Sequence, residues 1–209
     1  MNNFGYTKTE EKLFKKLNTP AKIQDFLNKI PFNFEKKGET CMSPRSVLLE
    51  NKAHCMEGAL LASAILEHHG FKPLVLDLRS SKKPFDYDHV VVVWNEDGFY
   101  GAISKTNHGV LRYREPVYKS IRELVMSYFH EYFLNNNGLK TLREYSDPFD
   151  LNHFNKINWR TSEVDLFEIP EYLDKITHHQ ILTKKQIKNL RKADKIEIEM
   201  GKIKEYDQK

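Results

Sequence analysis

The chain has 209 residues, enough for one domain with a full hydrophobic core, and its 40% hydrophobic and 12% aromatic content describes a packed globule instead of a disordered chain. Its 33 basic and 29 acidic residues leave a net charge of only +4, too small to imply nucleic acid on its own, and two cysteines exclude a disulfide framework. No apolar stretch is long enough to cross a bilayer, and MNNFGYTKTEEKLFKKLNTP lacks the apolar run of a secretory leader, so a cytoplasmic location with reduced thiols is the expectation.

From Thr7 to Ile30 two helical pieces are predicted, interrupted at Pro20, with Leu13, Phe14 and Leu17 striping the first and Ile23, Phe26, Leu27 and Ile30 the second. A polar connection, PFNFEKKGETCMSP, follows. Ser43 and Pro44 then make an N-cap and first-turn pair for a short helix through Leu49. In MEGALLASAILEHHG, Leu60, Leu61, Ala64 and Ile65 repeat at helical spacing and Gly70 supplies a stop, which puts Cys55 at or just before a helix N-terminus. Pro73–Leu78 and His89–Trp94 are short and rich in branched residues, as buried strands are. Asn95–Gly98 is a turn signal and Phe99–Ser104 the returning strand. VYKSIRELVMSYFHEYF reads as helix, with Val117, Ile121, Leu124, Val125, Tyr128 and Tyr132 on one face and NNNG ending it. Thr183 and Gln186 form a capping box for a last helix. The division expected is a main domain over 1–175 and a basic helical extension over 176–209.

A thiolate is the reactive form of cysteine, and a helix N-terminus stabilises it through free N–H groups and the macrodipole. Nucleophilic catalysis also needs a base and a group that orients the base. His89, heading the valine strand, is the candidate base. If Trp94 pairs with Phe99 across the turn, His89 lies opposite Ser104 and both point to one face of the sheet. A bulge would bring Lys105 or Ile103 there instead.

Cysteine at a helix start, histidine at a strand start and a partner on the next antiparallel strand resemble the transglutaminase-like superfamily of papain-like cysteine enzymes. HCMEGA, DHVVVVW and GFYGAIS match its three motif regions, and the likeness spans about Lys22 to Tyr132. Within it the chain resembles uncharacterised bacterial proteins labelled transglutaminase-like. The resemblance implies an α+β fold, with a nucleophile helix packed on an antiparallel sheet and flanking N- and C-terminal helices. It also implies attack on an amide or ester carbonyl, giving a thioester that passes to water or an amine. By position Cys55 is the nucleophile and His89 the base. These enzymes generally place Asp or Asn where this chain has Ser104, whose hydroxyl can accept the imidazole Nδ1 bond but carries no charge. Asn107 is the alternative on chemistry; Asp88 adjoins His89, but strand neighbours face opposite ways. Glu57, in the first turn, reads as a cap or substrate contact.

Each of these residues also has a plainer reading: Cys55 as a buried thiol, His89 as a strand-end residue bonded to backbone, Ser104 as a polar strand end and Asn107 as a turn residue. Cys41 has no placed base and reads as structural. No metal site is expected, since Leu134 stands where an HExxH motif would need histidine and there is no CxxC; no cofactor is called for either. The run from Lys184 to Lys195 holds six basic residues against Asp194, and reads as a solvated face because no aromatic residues interleave it; nucleic acid is not expected as a partner. Two functional expectations result: a cysteine-dependent acyl-transfer enzyme acting on a peptide, protein or small amide, or a catalytically silent module that uses the same cleft to bind a protein or peptide.

Overall fold

The structure, a computed structural model, describes residues 4–206. Its architecture is α+β, with helices packed against an antiparallel sheet. The N-terminal half is helical: α1 (Lys8–Lys16), α2 (Pro20–Lys29), α3 (Pro44–Glu50) and α4 (Cys55–His68). Local chemistry sets each start. Thr7 and Glu10 close a reciprocal capping box on α1, Thr19 caps α2 with Pro20 in its first turn, and Ser43 accepts the Ser46 N–H at the head of α3. Pro20 thus begins a helix, because the first turn has no use for its missing N–H. α4 is buried continuously from Met56 to Leu66, and Gly70, at φ +89°, ends the segment in a left-handed turn.

The sheet has seven strands: β1 (Leu74–Ser80), β2 (His89–Glu96), β3 (Phe99–Ile103), β4 (Arg114–Tyr118), β5 (Leu142–Ser146), β6 (Phe149–Asp150) and β7 (His178–Gln180). They run in the order β4-β3-β2-β1-β5-β7, with β6 pairing the start of β1. Between them lie α5 (Ile121–Phe129), a 3-10 turn over Leu151–Ile157 and α6 (Glu168–Leu173); α7 (Lys184–Lys188) and α8 (Lys195–Gly201) follow β7. Alternation along β2 feeds two cores. Val90, Val92 and Trp94 pack with Phe14, Leu27, Leu60 and Leu61 from the N-terminal helices, while Val91 and Val93 pack with Leu124, Val125 and Tyr128 of α5. A strand buried on both faces reads as an unbroken apolar run, which is why HVVVVW shows no polar alternation.

Three sequence expectations change. The β2–β3 turn is a two-residue connection at Asp97–Gly98, both at positive φ (+51° and +86°), so Asn95 and Glu96 belong to β2 and Glu96 pairs with Phe99. Trp94 therefore pairs with Gly101 and not with Phe99, a shift of two residues that keeps every side chain on its expected face. Val117 and Tyr118 end strand β4 and do not head the helix: Pro116 before them is accommodated because β4 is the sheet edge and its pairing with β3 is irregular there. The helix begins after Ser120, whose side chain accepts the Glu123 N–H, and Val117 is exposed.

The Thr183–Gln186 capping box is present but opens only the five-residue α7, and the last helix is α8, capped by Asp194. Beyond α8 the chain crosses the loop after β3: the Gly109 N–H donates to the Ile203 carbonyl at 2.8 Å and the Glu205 N–H to the Asn107 carbonyl at 2.7 Å. No helix among the described residues is long and apolar enough to cross a membrane.

Candidate functional site

The head of α4 is built by an unusual cap. His54 occupies the N-cap position in extended conformation, its Nδ1 accepting the Met56 N–H at 3.2 Å, while Glu57 reaches back to the His54 N–H at 2.9 Å. Glu57 has no solvent exposure, and its carboxylate also accepts the Thr40 hydroxyl at 2.7 Å, the Met42 N–H at 3.1 Å and the Asn33 amide at 3.1 Å. Its lone pairs are committed to holding the helix start against residues 33–42, so it serves as a cap. The His54 Nε2 faces the Thr40 carbonyl at 2.9 Å, which fixes the neutral ring as the Nε2–H form.

Cys55, the first residue of α4, is half-buried. Burial pushes its thiol up, but donation from the His54 and His89 rings, together with their charge, outweighs this and lowers the pKa to about 5. Among the described residues no bond of full hydrogen-bond geometry joins the sulfur to either ring. For His54, burial works against a charge, and the Cys55 thiolate, the Glu57 carboxylate and the Thr40 carbonyl raise it to about 9. A proton on Nδ1 is incompatible with the Met56 cap bond, and a charge-assisted bond to the thiolate is the stronger of the two.

His89 begins β2 and is 7% exposed; its Nε2 lies 2.8 Å from the Ser104 Oγ, so the nitrogen left for the sulfur is Nδ1. The expected bond to serine is present, on the other ring nitrogen. Continued past Ile103, the observed register would put Thr106 opposite His89, so Ser104 is reached diagonally, two residues away on the same face. The Ser104 hydroxyl donates to the Leu111 carbonyl at 2.6 Å; with its one proton spent, it must accept from the imidazole. The Gln24 side chain of α2 holds the Ser104 backbone on both sides, Oε1 accepting its N–H at 2.9 Å and Nε2 donating to its carbonyl at 2.8 Å.

Asn107 is buried in the same cavity, but none of the described hydrogen bonds joins its side chain to His89; its carbonyl instead takes the Glu205 N–H. Asp88 lines the cavity too, but its carboxylate accepts the Ser80 N–H at 2.7 Å and none of the described hydrogen bonds joins it to His89. Cys55, His54, His89, Asn107, Glu131 and Tyr132 all line a cavity of about 460 Å³. Lys105, next to Ser104, is fully buried with its ammonium on the Leu27 and Ile30 carbonyls at the end of α2, and burial lowers its pKa to about 8. Cys41 is buried and its thiol pushed up to about 12 by burial, with the Glu57 and Asp165 charges adding to the effect.

Sequence reasoning missed His54, Gln24 and Glu131. The capping box HCME is visible in sequence only if histidine is admitted as an N-cap; the other two act across the fold and leave no local signal. It also missed the carboxylates of Asp77, Asp88 and Asp174, far apart in the chain, whose oxygens lie within 4.8 Å of one another. Of these, Asp77 is buried and already accepts from the His178 Nε2 at 2.8 Å. Set against known proteins, the chain matches no family model, and no curated protein matches its sequence.

Proposed function

We propose that this chain is a cysteine-dependent acyl-transfer enzyme on a papain-like, transglutaminase-like core. The observation that carries the reading is the Cys55 thiol at the head of α4, held ionised down to about pH 5, in a cavity shared with His89. The Cys55 thiolate attacks an amide or ester carbonyl, and the Cys55 N–H, which has no partner within the helix, donates to the oxyanion. The Nδ1 proton of the His89 imidazolium, partner of the thiolate, passes to the departing amine or alcohol, leaving a thioester on Cys55 and a neutral ring. His89 then removes a proton from water or from an acceptor amine, whose attack releases the acyl group and restores the thiolate. Ser104 keeps a proton on Nε2 throughout, so Nδ1, toward the sulfur, is the nitrogen that gives and regains the travelling proton. Substrates are a peptide, a protein or a small amide.

The neutral Ser104, in place of a charged partner, supports a second reading, a silent module that binds a peptide in the same cavity. Alkylation of Cys55 by iodoacetamide across pH separates them, with Cys55→Ser as the blank. The enzyme reading expects a half-maximal rate near pH 5 and, with an activated ester, one thioester per chain that hydroxylamine removes. A midpoint in the ordinary range near 8.5, with no thioester, leaves the binding module.

A further inference from the structure

Ser104 can orient His89 only while its own proton is directed elsewhere, and the acceptor of that proton is a peptide carbonyl in a costly conformation. Leu111, which offers the carbonyl, sits at φ +60°, in the left-handed region that branched side chains avoid. A residue stays there when something outside it fixes its backbone. The Leu111 N–H donates to the Glu131 Oε2 at 2.8 Å, and the same oxygen takes the Arg114 Nη2 at 2.6 Å. Arg114 is itself pinned, through Nε to the Ser127 hydroxyl at 2.9 Å and with its guanidinium 4.1 Å over the Tyr128 ring. The carboxylate is thus positioned from α5, on the far face of the sheet from α4.

We propose that Glu131 is a positioning residue for His89, acting through the strained Leu111 peptide and the Ser104 hydroxyl. An anion on the N–H fixes where the Leu111 carbonyl lies; that carbonyl takes the Ser104 proton; the freed lone pair of Ser104 takes the Nε2–H. The Leu111 N–H and carbonyl belong to successive peptide units joined at the Leu111 Cα, so what passes from Glu131 to Ser104 is position and not charge. The inference rests on the proposed function for its consequence in reactivity, though not for its geometry.

The test uses Glu131→Ala, Glu131→Gln, Ser104→Ala and the Glu131→Ala/Ser104→Ala double variant in the full chain. Two readouts are taken: the pH midpoint of Cys55 alkylation, and the His89 tautomer from imidazole nitrogen NMR in a Cys55→Ala background. Glu131→Ala is expected to raise the midpoint by about one pH unit and to erode the Nε2–H tautomer. Glu131→Gln, whose amide oxygen still accepts the Leu111 N–H, should stay near wild type. The double variant should match Ser104→Ala alone, because the relay passes through Ser104. Folded Glu131→Ala with midpoint and tautomer both unchanged overturns the proposal, as does an effect that persists in full without Ser104. Should Glu131→Ala fail to fold, Glu131→Asp, whose shorter side chain draws back from the Leu111 N–H, is read by the same criteria. A wild-type midpoint near 8.5 would sink the enzyme reading alone, since the tautomer spectra still decide the relay.

Discussion

Gly58 lies one turn beyond Cys55 on α4, where a glycine is otherwise a poor choice. The reason is Lys105: a Cβ on Gly58 would stand 2.3 Å from the Lys105 Cβ and 2.7 Å from its Cγ. Carbon atoms in contact settle at about 3.5–4.0 Å, so Gly58→Ala forces these elements apart by more than about 1 Å. The lysine cannot swing aside, because its base is fully buried and its ammonium is held by the Leu27 and Ile30 carbonyls. The displacement falls on the backbone next to Ser104. Overpacking of this size costs about 3 kcal/mol, and the better helix propensity of alanine returns about 1. A net loss of about 2 kcal/mol lowers the melting temperature by roughly 4–8 °C in a domain of this length. The catalytic effect should be larger, since a shift of about 1 Å in a positioning group can cost ~100-fold in rate. Calorimetry and thioester formation on Cys55 measure the two effects. If Gly58→Ala melts above wild type, as helix propensity alone would have it, and acylates at the wild-type rate, the packing argument is wrong.

Two further expectations concern the buried side chains of Glu57 and His178. Glu57→Gln turns an amide NH2 toward donors now bonded to a carboxylate, among them the Thr40 hydroxyl and the Met42 and His54 N–H groups. The loss should be about 3 kcal/mol, a melting temperature lower by roughly 6–12 °C, and a melt indistinguishable from wild type would refute the account of the cap. For His178, burial opposes a charge, but the bond to Asp77 outweighs it and the imidazole is raised above its ordinary value. A raised histidine contributes stability fully below its unfolded pKa of about 6.5 and loses it as pH rises through the folded one. Urea unfolding of wild type and His178→Gln should therefore show a stability gap that is widest near pH 6 and narrows toward alkaline pH. A gap that widens with pH would reverse the assigned sign.

What the sequence disclosed was what local pattern encodes. The α4 helix announced itself through apolar spacing and a glycine stop, β2 through its valine run, and the sulfur, imidazole and hydroxyl through their places at element ends. The pairing of Ser104 with His89 was anticipated although the assumed register was two residues off, because a two-residue error preserves the face of a strand. The error arose at Asp97–Gly98, where an aspartate at positive φ shortens the turn and lengthens β2 by two residues. Strand β4 was hidden by its composition: an edge strand with a proline and charges carries no apolar alternation to read. Gln24, Leu111 and Glu131 were illegible for a different reason. Their roles come from contacts between distant segments, and in Leu111 the part that matters is the backbone, on which the side chain is silent.

The depth of the site explains why a hydroxyl suits position 104 where a carboxylate would not. Ser104 is 1% exposed and its Oγ sits 2.6 Å from the Leu111 carbonyl. A carboxylate there would set a buried negative charge against a carbonyl oxygen with no proton between them, which adds repulsion to the cost of desolvation. A hydroxyl resolves both problems, donating one way and accepting the other. The charge that a carboxylate would have supplied is held instead at Glu131, one-third exposed and paired with Arg114. What reaches the imidazole is direction, delivered through two neutral groups. The ionisation of Cys55 depends less on Ser104 than on what else faces the sulfur, and here that includes His54, a second imidazole adjoining Cys55 in the chain. The hydroxyl at position 104 and the histidine before Cys55 are therefore parts of one electrostatic arrangement: charge from the helix cap, orientation from the hydroxyl.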